Sequence, residues 1–353
     1  MKIDGIHYRS IWLSDNGWSV RIFDQRRLPW RVEIAELTSA EMAARAIKEM
    51  WTRGAPLIGA TAAYGMCLGL RTDASDEALE SNYRLLLATR PTAVNLRWAL
   101  DRMKGAVTGL QGEQRVAAAY RCAAAICDED VVTCRSIGEH GAKLIETLDS
   151  GRRGRVLNIL THCNAGWLAT VDYGTALAPI YLAHDHGIRL HVWVDETRPR
   201  NQGASLTAFE LAQHGVPHTV IADNAGGLLM QQGKVDMCIV GTDRVARNGD
   251  VCNKIGTYLK ALAARDNNVP FYIGLPMSTF DPSIARGADI PIEERAADEV
   301  TMVHGKDAQG NPASVRITAS PAGNPAFDVT PARLVSGYIT EKGVATSPGQ
   351  LNV

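Results

Sequence analysis

Over residues 6–36 polar and apolar side chains alternate in short runs, HYRSIWLS, WSVRIFDQ and WRVEIAEL, with a break at Asp15-Asn16-Gly17. A period of two puts every second side chain on one face, and Asn-Gly suits the positive φ of a tight turn. This stretch predicts a small antiparallel sheet. From 38 to 135 the composition shifts to Ala, Leu, Met, Arg and Glu, which predicts a mainly helical region. Thr38-Ser39 followed by Glu41 reads as one helix start, and Arg90-Pro91-Thr92 as the opening of another.

Near residue 150 the pattern changes again. Asp149-Ser150-Gly151-Arg152-Arg153-Gly154 reads as a connector, and beyond it short apolar runs alternate with helical stretches. The runs are VLNILT (156–161), LHVWVD (190–195), HTVIA (218–222), MCIVG (237–241) and FYIGL (271–275). Gln202–His214 and Asn253–Arg265 have helical period, and residues 305–325 read as a hairpin and loop. The expectation is an α/β chain: residues 1–150 form an N-terminal domain of antiparallel strands plus helices, and residues 151–353 a Rossmann-like, mostly parallel sheet covered on both faces.

Composition narrows the classes. With 46% hydrophobic and 21% charged residues the chain has material for sizeable cores. A net charge of −1 provides no global pull toward nucleic acid or an anionic membrane, so an anionic ligand must be held by local cations. The seven cysteines form no C-x-x-C pair, which fits a reducing compartment, and the N-terminus MKIDGIHYRS lacks the apolar core of a secretory signal. No apolar run is long enough to span a membrane. A soluble cytoplasmic protein is expected, with neither nucleic acid nor membrane as partner.

Chemistry-bearing residues follow the apolar runs. Thr161-His162-Cys163-Asn164 ends the first, Asp195-Glu196-Thr197-Arg198 the second, Asp223-Asn224 the third, Gly241-Thr242-Asp243-Arg244 the fourth and Pro276-Met277-Ser278-Thr279 the fifth. In a parallel sheet these ends share one edge, where ligands bind. Cys163, between a strand and an expected helix start, suits a thiolate base, or is a small buried residue at a tight turn. Asp243, after an apolar run, suits a proton donor in a dry pocket, or is a helix cap or partner of Arg244. Arg53-Gly54-Ala55-Pro56 precedes an apolar helical stretch, a pattern that fits phosphate at a helix N-terminus, and Arg90 and the Asn253-Lys254 helix start fit an anion or sugar hydroxyl. His162 neighbours Cys163 on an extended segment and so faces away from it. His184, His186 and His191 make no recognised metal site, and no G-x-G-x-x-G follows the first C-terminal strand.

Several long strings resemble one family: RGAPLIGATAAYG (53–65), RPTAVNLRWALDRM (90–103), THCNAGWLATVDYGTAL (161–177), ETRPRNQGASLTAFEL (196–211), GTDRVARNGDVCNKIGTY (241–258), PFYIGLPMSTFD (270–281) and NPAFDVTPARLVSGYITEKGV (324–344). They are similar to the methylthioribose-1-phosphate isomerases of methionine salvage, within a wider group that includes regulatory subunits of translation initiation factor 2B. The resemblance implies a homodimeric aldose–ketose isomerase that needs no metal or other cofactor and acts on a small sugar phosphate. It makes Cys163 and Asp243 the catalytic pair, with Asp243 the proton donor. Arg53, Gly54, Ala55, Arg90, Gln202, Asn253 and Lys254 become substrate-binding residues. Two departures stand out. Trp167 replaces a residue usually smaller, so a bulky ring near the site would alter the preferred 5-substituent, and Gly241-Thr242 replaces Gly-Ala before the aspartate. Open alternatives are another ribose 1-phosphate substrate (5-deoxyribose 1-phosphate or ribose 1,5-bisphosphate), a hydride shift instead of proton transfer, and a non-catalytic role of the initiation-factor type.

Overall fold

The structure is a computed structural model, describing residues 1–90, 93–150 and 154–351. The chain opens on a two-residue hairpin, β1 (Lys2–Ile3) and β2 (Ile6–His7), followed by a three-stranded antiparallel sheet of β3 (Ile11–Leu13), β4 (Val20–Phe23) and β5 (Ile34–Leu37). The expected turn joins β3 to β4, with Gly17 at φ 76°. Five helices follow: α1 (Ala40–Lys48), α2 (Ala55–Thr72), α3 (Asp76–Leu87), α4 (Val94–Val107) and α5 (Gly112–Ser150). Ser39 caps α1 by accepting the Met42 N–H, as the Ser-x-Glu pattern suggests. α2 is buried nearly all round, the mark of a central helix, and packs against α1, α3, α4 and the first half of α5.

The connector expected at 149–154 is only partly testable. Asp149 and Ser150 belong to α5, a 39-residue helix, and 151–153 lie outside the described residues, as do Pro91 and Thr92 of the expected helix opening. α5 runs on because its apolar stripe does not stop at the first core. Ala119, Ala123 and Ile126 face the helical bundle, whereas Ile137, Ala142 and Ile145 face the large sheet.

The second half of the chain alternates strand and helix: β6 (Leu157–Thr161), α6 (Ala178–Asp185), β7 (Leu190–Asp195), α7 (Ala208–His214), β8 (His218–Ile221), α8 (Ala225–Gln231), β9 (Met237–Val240), β10 (Arg244–Ala246), β11 (Val251–Lys254), α9 (Thr257–Asp266), β12 (Phe271–Gly274), β13 (Phe280–Asp281), α10 (Asp298–Thr301), β14 (Met302–Lys306), β15 (Pro312–Arg316), β16 (Phe327–Thr330), β17 (Gly337–Thr340) and β18 (Gly343–Ala345). Seven strands form the large sheet in the order β18-β17-β12-β9-β6-β7-β8, parallel except for β18. All five apolar runs are strands of it. Their side chains divide by parity. Met237 and Ile239 join the core beneath α5 and α6, while Cys238 and Val240 join the one beneath α8 and α9. β14 and β15 form the hairpin expected in 305–325.

A second sheet, β13-β10-β11-β16, stands beside the first. It corrects one expectation. Asn253 and Lys254 do not begin a helix. They end β11, paired with Asp328 and Phe327 of β16, and α9 starts at Thr257. The VCNK run is too short for its period to declare itself, and a single Gly256 in a left-handed conformation (φ 103°) separates strand from helix.

Candidate active site

The carboxyl ends of β6 and β9 and the end of β11 face the start of α2. Between them lies one cavity, lined by Arg53, Gly54, Ala55, Arg90, Cys163, Gln202, Asp243, Asn253 and Lys254. All nine positions singled out in the sequence meet there.

The α2 end is built by close approach. Gly54 has φ 94°, and a Cβ on it would sit 2.3 Å from the Ala169 carbonyl oxygen, so glycine alone lets the helix start reach the loop after β6. Pro56 in the first turn carries no N–H and fits the helix start. Arg53 is buried. Its Nη2 donates to Asn164 Oδ1 at 2.7 Å and to the Asn164 carbonyl at 3.2 Å, leaving Nε unpaired. Arg90 reaches across to the C-terminal half, donating to Glu293 at 3.2 Å, and its Nε is also buried and unpaired. Burial, and for Arg90 the neighbouring Arg295, pulls both guanidinium pKa values below the ordinary arginine value.

Cys163 does not stand at a helix start. After β6 the chain turns through Cys163 at φ 67°, in the left-handed region that costs a non-glycine residue about 1–2 kcal/mol, and α6 begins only at Ala178. Its backbone is clamped instead. The N–H donates to Thr197 Oγ1 at 2.8 Å, and the carbonyl accepts from Thr207 Oγ1 at 2.7 Å. The charged neighbours of the thiol are the cations of the cavity, Arg53 and Lys254 among them, and no helix starts at the residue itself. Asp243 likewise caps no helix, because β10 begins at the next residue, and Arg244 lies 3.5 Å from the Asp281 carboxylate.

His162 lines the same cavity as Cys163, whose φ of 67° departs from the extended backbone on which neighbours face opposite ways. Its Nδ1 lies 2.8 Å from Asp195 Oδ2 and its Nε2 2.8 Å from the Ile255 carbonyl. Lys260 Nζ is 3.1 Å from the same Asp195 oxygen and donates to the Asp223 carbonyl. Among the described residues His162, Asp195 and Asp223 form the one His/Cys/Asp/Glu group close enough to hold a metal ion, and the Lys260 ammonium already supplies that group with a cation.

Sequence reasoning missed four participants. Glu210, fully buried, is the template for the loop carrying Cys163. It accepts from Asn164 Nδ2 (2.7 Å), the Trp167 and Leu168 N–H groups (2.8 and 3.2 Å) and the Tyr181 hydroxyl (2.9 Å). Burial pushes its pKa up to about 7 despite these donors. Arg295 and Phe327 line the cavity, and Glu293 bridges Arg295 and Arg90. Burial works against the Glu293 carboxylate, yet Arg90 and Arg295 hold it below the usual range. Glu210 and Asn164 fall inside the family-like strings, whereas Glu293 and Arg295 come from an irregular segment that no periodicity marks.

Lys254 lies between two aromatic and cationic neighbours. Its Nζ donates to the Ala326 carbonyl at 2.9 Å and stands 4.6 Å from the Phe327 ring centroid. Burial first, then Arg295, lowers its pKa to about 8. Trp167, expected beside the site, is instead a fully buried core residue, edge-on to Phe23 at 5.9 Å between centroids, and does not line the cavity.

Comparisons with known proteins show the family. Residues 51–347 match the model of the initiation factor 2 subunit family. A curated methylthioribose-1-phosphate isomerase from Acidiphilium cryptum is 66% identical, the match covering 98% of this chain and 95% of that protein. The crystal structure of 5-methylthioribose 1-phosphate isomerase from Pyrococcus horikoshii superposes with a TM-score of 0.84 at 40% identity, covering 98% of this chain and 96% of that one. That of the translation initiation factor eIF-2B delta subunit from A. fulgidus does so with a TM-score of 0.80 at 38% identity, over 98% of both chains. The chain therefore belongs to the initiation factor 2 subunit family and groups, within it, with the methylthioribose-1-phosphate isomerases.

Proposed function

We propose that the protein is an aldose–ketose isomerase of methionine salvage that converts 5-methylthioribose 1-phosphate to 5-methylthioribulose 1-phosphate. The observation that carries this reading is the convergence of Cys163 and Asp243 in one cavity with four cations, Arg53, Arg90, Lys254 and Arg295. The Glu293 carboxylate and the Cys163 thiolate offset part of that charge, leaving an excess of about two, which suits a phosphate dianion. Arg53 and the N–H groups of Gly54 and Ala55 at the start of α2 grip the phosphate, Arg90 steadies it, and Gln202, Asn253 and Lys254 hold the sugar.

A 1-phosphorylated furanose has no free aldehyde, so its ring must open first. Asp243 gives a proton to the ring oxygen, which leaves C1 as the O4 hydroxyl. Cys163 as thiolate takes the C2 proton, and the electron pair forms the C1–C2 double bond of an enol. The Asp243 carboxylate takes the C2 hydroxyl proton as the ketone forms, and Cys163 returns its proton to C1, so atoms and charge balance. In the hydride route the same C2 hydrogen moves to C1 with its electron pair, Asp243 keeps both of its roles, and Cys163 lends only negative charge. Deuterium at C2 separates the two: exchange with solvent marks proton transfer, full retention at C1 the hydride shift.

The A. fulgidus structure supports a second reading, a non-catalytic subunit of initiation-factor type, because that chain shares the fold over its whole length. Incubation with 5-methylthioribose 1-phosphate decides. Formation of the ketose, lost in Cys163→Ala and Asp243→Asn, supports the enzyme; no ketose and a stable association with an initiation-factor subunit support the other. No helix among the described residues is long and apolar enough to cross a membrane. A cytoplasmic homodimer, divided near residue 150 between an anion-gripping front domain and a reacting sheet domain, completes the reading.

A further inference from the structure

The two arginines that line the cavity from the first half of the chain are held in different ways. Arg90 meets a carboxylate directly, donating to Glu293 at 3.2 Å. Among the described residues no carboxylate pairs with Arg53, whose Nη2 donates to Asn164, to the side-chain Oδ1 at 2.7 Å and to the carbonyl at 3.2 Å. Behind Asn164 stands the Glu210 carboxylate. The Asn164 Nδ2 donates to Glu210 Oε1 at 2.7 Å and to Thr207 Oγ1 at 3.1 Å. Arg53, Asn164, Thr207 and Glu210 are all buried. An amide accepts on its oxygen and donates on its nitrogen, so an acceptor on one side and a guanidinium on the other allow it one orientation. Glu210 is itself fixed by the Trp167 and Leu168 N–H groups and the Tyr181 hydroxyl.

We infer that Asn164 is a positioning residue for the phosphate: it ties Arg53 to the buried Glu210 carboxylate without letting the two charges pair. The inference rests on the reading above that Arg53 grips the phosphate. A carboxylate set directly on this guanidinium would fix it in place, yet it would cancel charge that the phosphate needs and leave an ion pair for the phosphate to break. An amide between them holds Arg53 by a dipole instead. The guanidinium keeps its charge and, with Nε buried and unpaired, a donor to spare. The same amide reaches the loop of the thiol, because Thr207, which Asn164 also contacts, donates to the Cys163 carbonyl at 2.7 Å. One buried carboxylate thus sets the phosphate grip and the backbone of the thiol in register. It does so across the two halves of the chain, since Arg53 precedes α2 and Asn164 follows β6.

The test is a double-mutant cycle read as the dissociation constant of inorganic phosphate, by calorimetric titration of the whole protein, with turnover of 5-methylthioribose 1-phosphate followed beside it. Arg53→Ala is expected to weaken phosphate binding about 100-fold and Asn164→Ala about 10-fold, the range of a lost charge-assisted hydrogen bond. The decisive variant carries both changes. Because Asn164 acts through Arg53, its loss should add less than about twofold to Arg53→Ala. A further loss of about 10-fold in the double variant, or no loss in Asn164→Ala alone, overturns the positioning role. Asn164→Ser, which shortens the side chain and keeps a polar group, takes its place in the cycle should the alanine variant not fold. Tyr181→Phe is the control, since it removes a bond to Glu210 Oε2, the oxygen that does not meet Asn164. It should lower stability and leave phosphate affinity within about twofold of the parent. A loss there equal to that of Asn164→Ala reduces Asn164 to support of the loop. Unaltered protein that binds phosphate but forms no ketose overturns the isomerase reading alone. Unaltered protein that binds no phosphate overturns this inference together with the grip on which it rests.

Discussion

Two polar clusters lie side by side at the carboxyl edge of the large sheet. In one, His162, Asp195, Lys260 and Asp223 are held by each other and by the Ile255 carbonyl. In the other, Arg53, Arg90 and Gln202 keep buried polar atoms with no partner, and Lys254 has a pKa pulled down to about 8 by burial. Both clusters are buried and both stand at that edge, so location does not separate them. Satisfaction does. Buried polar groups that spend their hydrogen bonds on one another fix a loop; those that leave donors over are kept for something that arrives. Asp195 Oδ1 is the exception in the first cluster, an unpaired oxygen amid an otherwise closed set.

The largest expected effects break the second cluster at its reacting groups. Cys163→Ala and Asp243→Asn should each lower kcat by about 1000-fold or more, within the range general acid–base groups supply. Circular dichroism melts should show Tm within a few degrees of the parent, because neither side chain closes a network that the fold depends on. A Tm fall of ten degrees in either variant would move that residue into the scaffold class and erase the contrast. Next in size is the opposite failure. His162→Asn removes the central member of the first cluster and leaves Asp195 with Lys260 alone, which should cost about 3 kcal/mol of stability in denaturant unfolding. The surviving folded protein should lose far less turnover than Cys163→Ala.

Much of this arrangement was readable from residues alone, and the part that was not shares one cause. β6, β7, β9 and β12 announce themselves as apolar runs because both faces of the sheet are covered, and β8 does so as a half-exposed edge strand. Arg53, Cys163 and Asp243 announce themselves because each follows or precedes such a run. Asn253 and Lys254 reach the cavity from a strand where the sequence predicts a helix start: β11 has four residues and pairs with β16, more than seventy positions later, so local sequence carries no trace of it. Glu293 and Arg295 reach Arg90 from an irregular segment two hundred residues away, and Glu210 acts through the loop it templates rather than by facing the cavity. Long-range pairing, not local pattern, supplies these.

A smaller effect sharpens the comparison through pH. Lys254 in the free protein is charged below about 8 and neutral above it. Its lowered pKa means that the cation Lys254 offers to the incoming sugar phosphate as a holder of its sugar is lost as pH rises through that value, so log kcat/KM should fall with a slope near −1 above pH 8. Lys254→Met should remove that limb and lower kcat/KM at neutral pH about 10-fold or more. It should leave stability unchanged or improved, because it replaces a buried charge by an apolar chain of similar length. An alkaline limb that persists in Lys254→Met assigns the titration to another group.

The smallest expected effect is the most discriminating about Trp167. Its ring packs on Phe23, its backbone N–H is held by Glu210, and it does not line the cavity. Trp167→Phe preserves the backbone hydrogen bond and trims only core volume, so it should cost about 1–2 kcal/mol of stability. The kcat/KM ratio between 5-methylthio and 5-deoxy substrates should stay within about twofold of the parent, since Trp167 is no part of the cavity wall. A tenfold change in that ratio would show that the loop transmits core packing to the reacting centre through Glu210 and Asn164, and the line drawn here between scaffold and site would then run through the loop instead of around it.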